Sequence, residues 1–113
     1  MPFTGRIEGH SIAVLNPAPD DAIVVVMPYV YILRCRDGAL YVGQADDVLR
    51  REQAHNEGRG ARFTAARRPV RAVYAEYCAT APDATVRERQ LKCWTRAKKE
   101  ALIAGDAALL KRL

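Results

Sequence analysis

Tyr29-Val30-Tyr31-Ile32-Leu33-Arg34-Cys35-Arg36-Asp37-Gly38-Ala39-Leu40-Tyr41-Val42-Gly43 is the stretch that decides the fold. Aromatic, β-branched and aliphatic residues run from Tyr29 to Leu33, Cys35 to Gly38 supplies turn chemistry, and strand-like composition resumes from Ala39 to Gly43. This predicts a β-hairpin. Loop length then fixes which residues share a face. A two-residue Asp37-Gly38 loop pairs Cys35 with Leu40 and sets Tyr31 and Tyr41 on opposite faces. A three-residue Arg36-Asp37-Gly38 loop, with Gly38 left-handed, pairs Cys35 with Ala39 and sets both phenols on one face. Cooperation between the tyrosines requires the longer loop.

On the C-terminal side, Asp46 or Asp47 caps a helix that runs to about Glu57 and stops at Gly58. Val48, Arg51 and His55 fall on one face of it, with Arg51 and His55 a turn apart. Gly58 to Pro69 reads as a loop carrying Arg59, Arg62, Arg67 and Arg68 and no acid, and Val70 to Cys78 as a third strand followed by a turn at Ala81-Pro82-Asp83. From Asp83 to about Gly105 the pattern predicts one long helix, with Ala84, Leu91, Trp94 and Ala101 on its packing stripe and Glu88 at the stripe's edge. A short helix, roughly Asp106 to Leu113, closes the chain. The expected class is α+β: a small three-stranded antiparallel sheet flanked by helices, spanning residues 27–113.

The first 26 residues read differently. Ile12 to Leu15 and Ile23 to Val26 are short apolar runs split by Asn16-Pro17-Ala18-Pro19-Asp20-Asp21, which predicts either a hairpin-like extension or a loosely ordered tail. Met27 directly precedes the patterned region and is an expected alternative translation start.

At 113 residues the chain forms one domain with a single modest core. Its net charge of +5 is unevenly spread: residues 1–26 hold one basic and three acidic groups, and the remainder holds 17 basic against 10 acidic. Such a bias points to a polyanionic partner, since each Lys or Arg set against a phosphate releases counterions. Cys35, Cys78 and Cys93 are odd in number and lack metal-ligand spacing, so they read as small buried hydrophobes in a reducing compartment. No apolar run approaches the roughly 20 residues that cross a bilayer, and a cytoplasmic location is expected.

Tyr31, Tyr41, Arg51, His55 and Glu88 form a complementary set. A carboxylate beside a packing stripe is costly unless paired or bound to a cation, and a single carboxylate with waters suits magnesium. A guanidinium offers a planar donor fork to phosphate and can stabilise a pentacoordinate transition state. Histidine, with a reference pKa of about 6.5, accepts or relays protons at neutral pH. A phenol titrates near 10 and acts as a base only beside a cation. Taken singly, each residue also reads as surface charge or packing. The basic helix face with Lys92, Arg96, Lys98 and Lys99, together with Arg59, Arg62, Arg67 and Arg68, can track a phosphate backbone, whereas Tyr74, Tyr77 and Trp94 read as core aromatics.

With these residues in place, Tyr29-Val30-Tyr31 and Tyr41-Val42-Gly43, followed by Arg51, His55 and Glu88, resemble the two-part signature and catalytic set of the GIY-YIG nuclease superfamily. The stretch Arg87-Glu88-Arg89-Gln90-Leu91-Lys92-Cys93-Trp94-Thr95-Arg96-Ala97-Lys98-Lys99 is similar to its small standalone bacterial branch, related to the nuclease domain of the excision-repair incision subunit. The resemblance implies a three-stranded antiparallel sheet flanked by helices and divalent-metal-dependent endonuclease cleavage of DNA. A single basic domain with no appended reader offers little base-specific recognition, so recognition of structure or backbone is expected, with branched or damaged DNA as candidate substrates and repair, recombination and defence all open as roles. The resemblance also implies that Glu88 holds Mg²⁺ or Mn²⁺, Arg51 clamps the scissile phosphate, His55 assists proton transfer and one of Tyr31 or Tyr41 activates water; it does not settle which, and Tyr41 is taken as the base with Tyr31 orienting the water or phosphate. Val30 and Val42 replace signature isoleucines, Tyr29 a glycine, and Gln44 a lysine found in some relatives, and no asparagine follows Glu88. These departures leave open reduced activity, dependence on a protein partner, or a binding module of the same fold without catalysis. The oligomeric state stays open as well.

Overall fold

The computed structural model describes residues 3–7, 10–15 and 28–113, with side chains from residue 28 onward. Strands β3 (Tyr29–Arg34) and β4 (Leu40–Ala45) form the predicted hairpin, pairing Arg34 with Leu40, Leu33 with Tyr41 and Tyr31 with Gly43. The loop is the three-residue kind: the Cys35 amide donates to the Ala39 carbonyl at 2.8 Å, and Gly38 adopts φ +88°. That positive φ is one a side chain rarely tolerates, so the glycine sets the register. The register in turn places Tyr31 and Tyr41 on one face.

Beyond the hairpin, β5 (Arg71–Tyr77) pairs antiparallel with β3. A bulge between Ile32 and Leu33 skips Val73, so Ala72 and Ala75 both face the Tyr31 side while Tyr74 faces the other. The expected three-stranded antiparallel sheet is this β5-β3-β4 unit. It is extended by β1 (Phe3–Ile7) and β2 (His10–Leu15), which pair with each other antiparallel, with β2 lying parallel to β5; the order is β1-β2-β5-β3-β4. The predicted break at 16–21 and the apolar run at 23–26 lie outside the described residues.

Each face of the sheet carries its own core. On one side Tyr31, Leu33, Val70 and Ala72 pack with Val48 of α1 (Val48–Asn56). On the other, Val30, Ile32, Val42 and Tyr74 pack with Ala84 and Leu91 of α3 (Ala81–Lys92) and Leu102 of α4 (Arg96–Ala104). α1 begins where predicted, with Asp47 accepting the Arg50 amide at 3.0 Å, and ends before Gly58 at φ +81°.

Three expectations are corrected. The arginine loop contains a helical turn, α2 (Arg62–Ala65), which precedes the cis Arg68–Pro69 bond. The turn expected at Ala81-Pro82-Asp83 is the first turn of α3, because the Thr80 hydroxyl caps it by accepting the Asp83 amide at 3.2 Å, and proline fits a first turn. The single long helix is two. Thr95 takes an extended conformation and its hydroxyl accepts the Lys98 amide at 3.2 Å, starting α4 afresh. Hydrophobic periodicity does not register a cap of this kind. α5 (Ala107–Arg112) closes the chain, capped by Asp106. Cys35 and Cys78 are buried free thiols as expected, whereas Cys93, at the end of α3, is exposed. No helix among the described residues is long and apolar enough to cross a membrane.

Candidate active site

The site grows out of the hairpin register. Tyr31 is 2% exposed and Tyr41 partly buried, both on the α1 side of the sheet. Between them lies Gly43: a Cβ there would stand 2.6 Å from Tyr31 Oη and 3.2 Å from the Tyr41 ring. Only glycine leaves the Tyr31 phenol its place.

His55 comes down from α1 onto these rings. It is 2% exposed, with Nε2 3.1 Å from Tyr31 Oη and its ring centroid 5.2 Å from that of Tyr41. Its tautomer follows from its other partner. The Thr64 hydroxyl lies 2.7 Å from His55 Nδ1 and spends its single proton on the Ala61 carbonyl at 2.9 Å. Thr64 therefore accepts from Nδ1–H, which leaves Nε2 bare to accept the Tyr31 hydroxyl proton. Burial, and then the positive charge of Arg51, lower the His55 pKa and keep the ring neutral. Burial and the neighbouring Tyr41 push the Tyr31 pKa up to about 12, with Arg51 pulling it down and Glu88 adding a smaller upward push. Tyr31 thus rests as a neutral phenol aimed at a neutral imidazole.

Glu88 arrives around the open edge of the sheet. β4 is the edge strand, and its Gln44, on the side of α3, donates to Glu88 Oε1 at 2.9 Å. Lys92, one turn further along α3, pairs with Oε2 at 2.7 Å; the Glu88 side chain is 18% exposed and that of Lys92 51%. The hydrogen bond to Glu88 raises the Lys92 pKa. Arg51 is exposed on α1 and lines a cavity of about 440 Å³ with Gln44, Arg50 and Arg59. A second cavity, of about 220 Å³, holds Tyr41, Phe63, Lys92 and Lys99. Gln44 borders the first, Lys92 the second, and Glu88 bonds to both residues, so the carboxylate sits between them.

All five predicted residues therefore converge. Among the described residues no group of three or more His, Cys, Asp and Glu could hold a metal, and Glu88 is the one carboxylate of the five residues. That donor suits Mg²⁺ or Mn²⁺, which keep waters and take phosphate oxygens. In this structure the carboxylate's second oxygen is held by the Lys92 ammonium, whose own side chain is half exposed.

The predicted phosphate-binding residues divide. Arg59, Lys92 and Lys99 line the two cavities, and Arg67 lies over the Phe63 ring at 3.9 Å while bonding to Asp37 at 3.1 Å. Arg62 is exposed on α2. Arg68 donates to the Ala65 and Asn56 carbonyls and lines a different cavity, with Arg36. Arg96 pairs with Glu100 at 3.2 Å, and Lys98 sits over Trp94 at 4.4 Å. Those last three serve the scaffold or another face. Tyr74 is core as expected, whereas Tyr77 and Trp94 are only partly buried.

Several contributors escaped the sequence reading. Thr64 sets the imidazole tautomer, and a Cβ at Gly60 would stand 2.1 Å from His55 Nδ1. Glu52 is 8% exposed and accepts the Ala72 amide at 2.7 Å, tying α1 to β5. The threonine lies in what looked like featureless loop, and only the glycine carried a local signal.

Comparison with known proteins identifies the family of the chain. The family model described as the GIY-YIG catalytic domain matches residues 27–101. A UPF0213 protein from Bacillus pumilus (strain SAFR-032) is 47% identical over 75 residues, covering 66% of this chain and 76% of its own. One from Staphylococcus aureus is 49% identical over 75 residues, covering 66% and 92%. The solution NMR structure of a UPF0213 protein from Bacillus halodurans is similar at 40% identity, covering 69% of this chain and 83% of that one, with a TM-score of 0.46. The chain belongs to the GIY-YIG catalytic-domain family.

Proposed function

We propose that this protein is a divalent-metal-dependent endonuclease that hydrolyses DNA phosphodiester bonds and is directed by structure or backbone rather than by sequence. The observation that carries the reading is the Tyr31 Oη to His55 Nε2 contact of 3.1 Å, with Nε2 left bare by Thr64. It favours Tyr31 over Tyr41 as the phenol that takes the water proton. A free phenolate at Tyr31 is disfavoured by its raised pKa, so the transfer is a relay: water gives a proton to Tyr31 Oη as Tyr31 gives its own to His55 Nε2. The hydroxide attacks phosphorus, the P–O bond to the leaving sugar oxygen breaks, and that oxygen takes a proton from solvent. Tyr41 orients the attacked phosphate.

Arg51 holds the phosphate and the charge that builds on it. Before the phosphate arrives, Arg51 opposes protonation of His55. Once its charge is matched by the phosphate, that opposition is relieved, and the relay has a better acceptor. Glu88 is the residue that holds Mg²⁺ or Mn²⁺, which supplies Lewis-acid neutralisation of the phosphoryl oxygen. The Lys92 side chain is half exposed, so its ammonium can turn to solvent or to a phosphate when a divalent cation takes its place. The excess of basic residues after residue 26 supplies sequence-independent attraction for DNA.

A second reading, a nucleic-acid-binding module of the same fold without catalysis, is favoured by one observation: both Glu88 oxygens are engaged, by Gln44 and by Lys92. The two readings separate when plasmid, single-stranded and branched DNA are incubated with and without Mg²⁺ or Mn²⁺, beside Glu88→Ala and Arg51→Ala. The nuclease reading expects products that need the metal and both residues. Identical products from wild type and Glu88→Ala, with DNA binding intact, favour the binding module.

A further inference from the structure

α2 presents its residues in two directions. Thr64 turns inward to His55, while Phe63 turns out and stays 40% exposed. A lone exposed phenylalanine is unremarkable. This one has particular neighbours: its ring is stacked with Tyr41, centroids 6.2 Å apart and planes 26° from parallel, and Arg67 lies over it at 3.9 Å. Tyr41 in turn lies against His55, so Phe63 continues the run of rings outward from the hydrolytic centre. Phe63 and Tyr41 share the cavity of about 220 Å³ with Leu40, Val42, Lys92 and Lys99.

We propose that this cavity is a seat for one unpaired nucleobase of the DNA substrate, stacked on Phe63 in place of the Arg67 guanidinium, with Lys99 and Lys92 holding the phosphate beside it. The size fits a single ring system, since clefts for whole drug-sized ligands run to roughly 300–1,000 Å³. Aromatic faces bordered by lysines are the elements that hold single-stranded nucleic acid: the ring takes any base, and the ammonium groups take its backbone. A paired base is stacked and shielded inside its duplex, so the seat selects DNA that is single-stranded or opened next to the cut. The cavity adjoins the Glu88 region through Lys92, which puts the seated nucleotide beside the carboxylate of the proposed centre. That centre rests on the nuclease reading; the seat itself does not need turnover.

The test is equilibrium binding in EDTA of a single-stranded oligonucleotide carrying 2-aminopurine, beside the same sequence as a blunt duplex. Wild type and Phe63→Tyr are expected to quench the 2-aminopurine and bind the single strand alike. Phe63→Leu is expected to bind it about tenfold more weakly, the scale of one lost base stack, with duplex affinity unchanged. Equal losses on both DNAs, or no loss, overturn the seat. Should Phe63→Leu fail to fold, Lys99→Gln decides: the salt dependence of single-strand binding should drop by about one phosphate contact, and an unchanged slope overturns the proposal. Base stacking without cleavage under any divalent metal sinks the nuclease reading and leaves the seat. Cleavage by a Phe63→Leu protein of undiminished single-strand affinity does the reverse.

Discussion

Tyr31 Oη and His55 Nε2, separated by 24 residues in sequence and delivered by β3 and α1, meet at 3.1 Å in a buried hydrogen bond whose direction is fixed by Thr64. Tyr31→Phe removes the donor and strands the imidazole nitrogen. Leaving one buried acceptor unsatisfied should lower stability by about 1–3 kcal/mol, read from urea unfolding. Loss of the relay should slow single-turnover cleavage by roughly 10²–10⁴-fold, and Tyr41→Phe should slow it less.

The neutral His55 makes stability depend on pH in a defined direction. Its folded pKa is depressed below the ordinary 6.5, so the unfolded chain binds more protons as the solution is acidified. The contribution is whole above about pH 6.5 and is lost as pH falls through the folded value. Urea midpoints measured from pH 7.5 down to 5 should decline more steeply for wild type than for His55→Gln. Parallel declines would contradict a buried neutral imidazole.

Gly43 and Gly60 are held by contacts rather than by turn geometry. A methyl at 43 would stand 2.6 Å from Tyr31 Oη, and one at 60 would stand 2.1 Å from His55 Nδ1. Both neighbours are buried rings with little room to yield. Gly43→Ala and Gly60→Ala should each destabilise by about 1–3 kcal/mol through overpacking and should suppress cleavage beyond what the stability change explains. Thermal unfolding beside a cleavage assay checks both.

The hairpin, the start of α1 and the spacing of Arg51 and His55 were legible in sequence because each rests on local chemistry: Gly38 in the turn, an aspartate cap at 46 or 47, and residues one helical turn apart; the loop length stayed conditional on the two tyrosines sharing a face. What escaped is non-local or falls in segments without periodicity. Thr95 breaks a helix whose apolar stripe continues across the break, β2 joins β5 by a parallel pairing with no local signal, and Thr64 acts from a four-residue helix inside an arginine loop. The glutamates show the same limit. Helix position alone shows neither that Glu52 anchors the Ala72 backbone nor that Glu88 meets Gln44 and Lys92 at the sheet edge.

Arg51 is exposed beside Arg50 and Arg59 in the cavity it shares with Gln44, so overall attraction for DNA is shared, while Arg51 is the arginine whose charge reaches Tyr31 and His55 and whose planar donor fork suits a phosphate there. Arg51→Lys should keep DNA affinity within a few-fold and still reduce the single-turnover rate by roughly 10²-fold or more, the scale of one lost transition-state donor. A rate close to wild type would show that only the charge matters.

The most direct test is the rate of DNA hydrolysis at saturating Mn²⁺ for wild type and for Glu88→Gln, compared at equal DNA occupancy. Glutamine keeps the size of the side chain and its bond to Gln44 through the amide oxygen, and removes the negative charge that a cation needs. The nuclease account predicts metal-dependent cleavage by wild type, with Glu88→Gln bound to the same DNA and slower by at least about 10²-fold. Equal rates, or no cleavage by wild type with either metal, would contradict it.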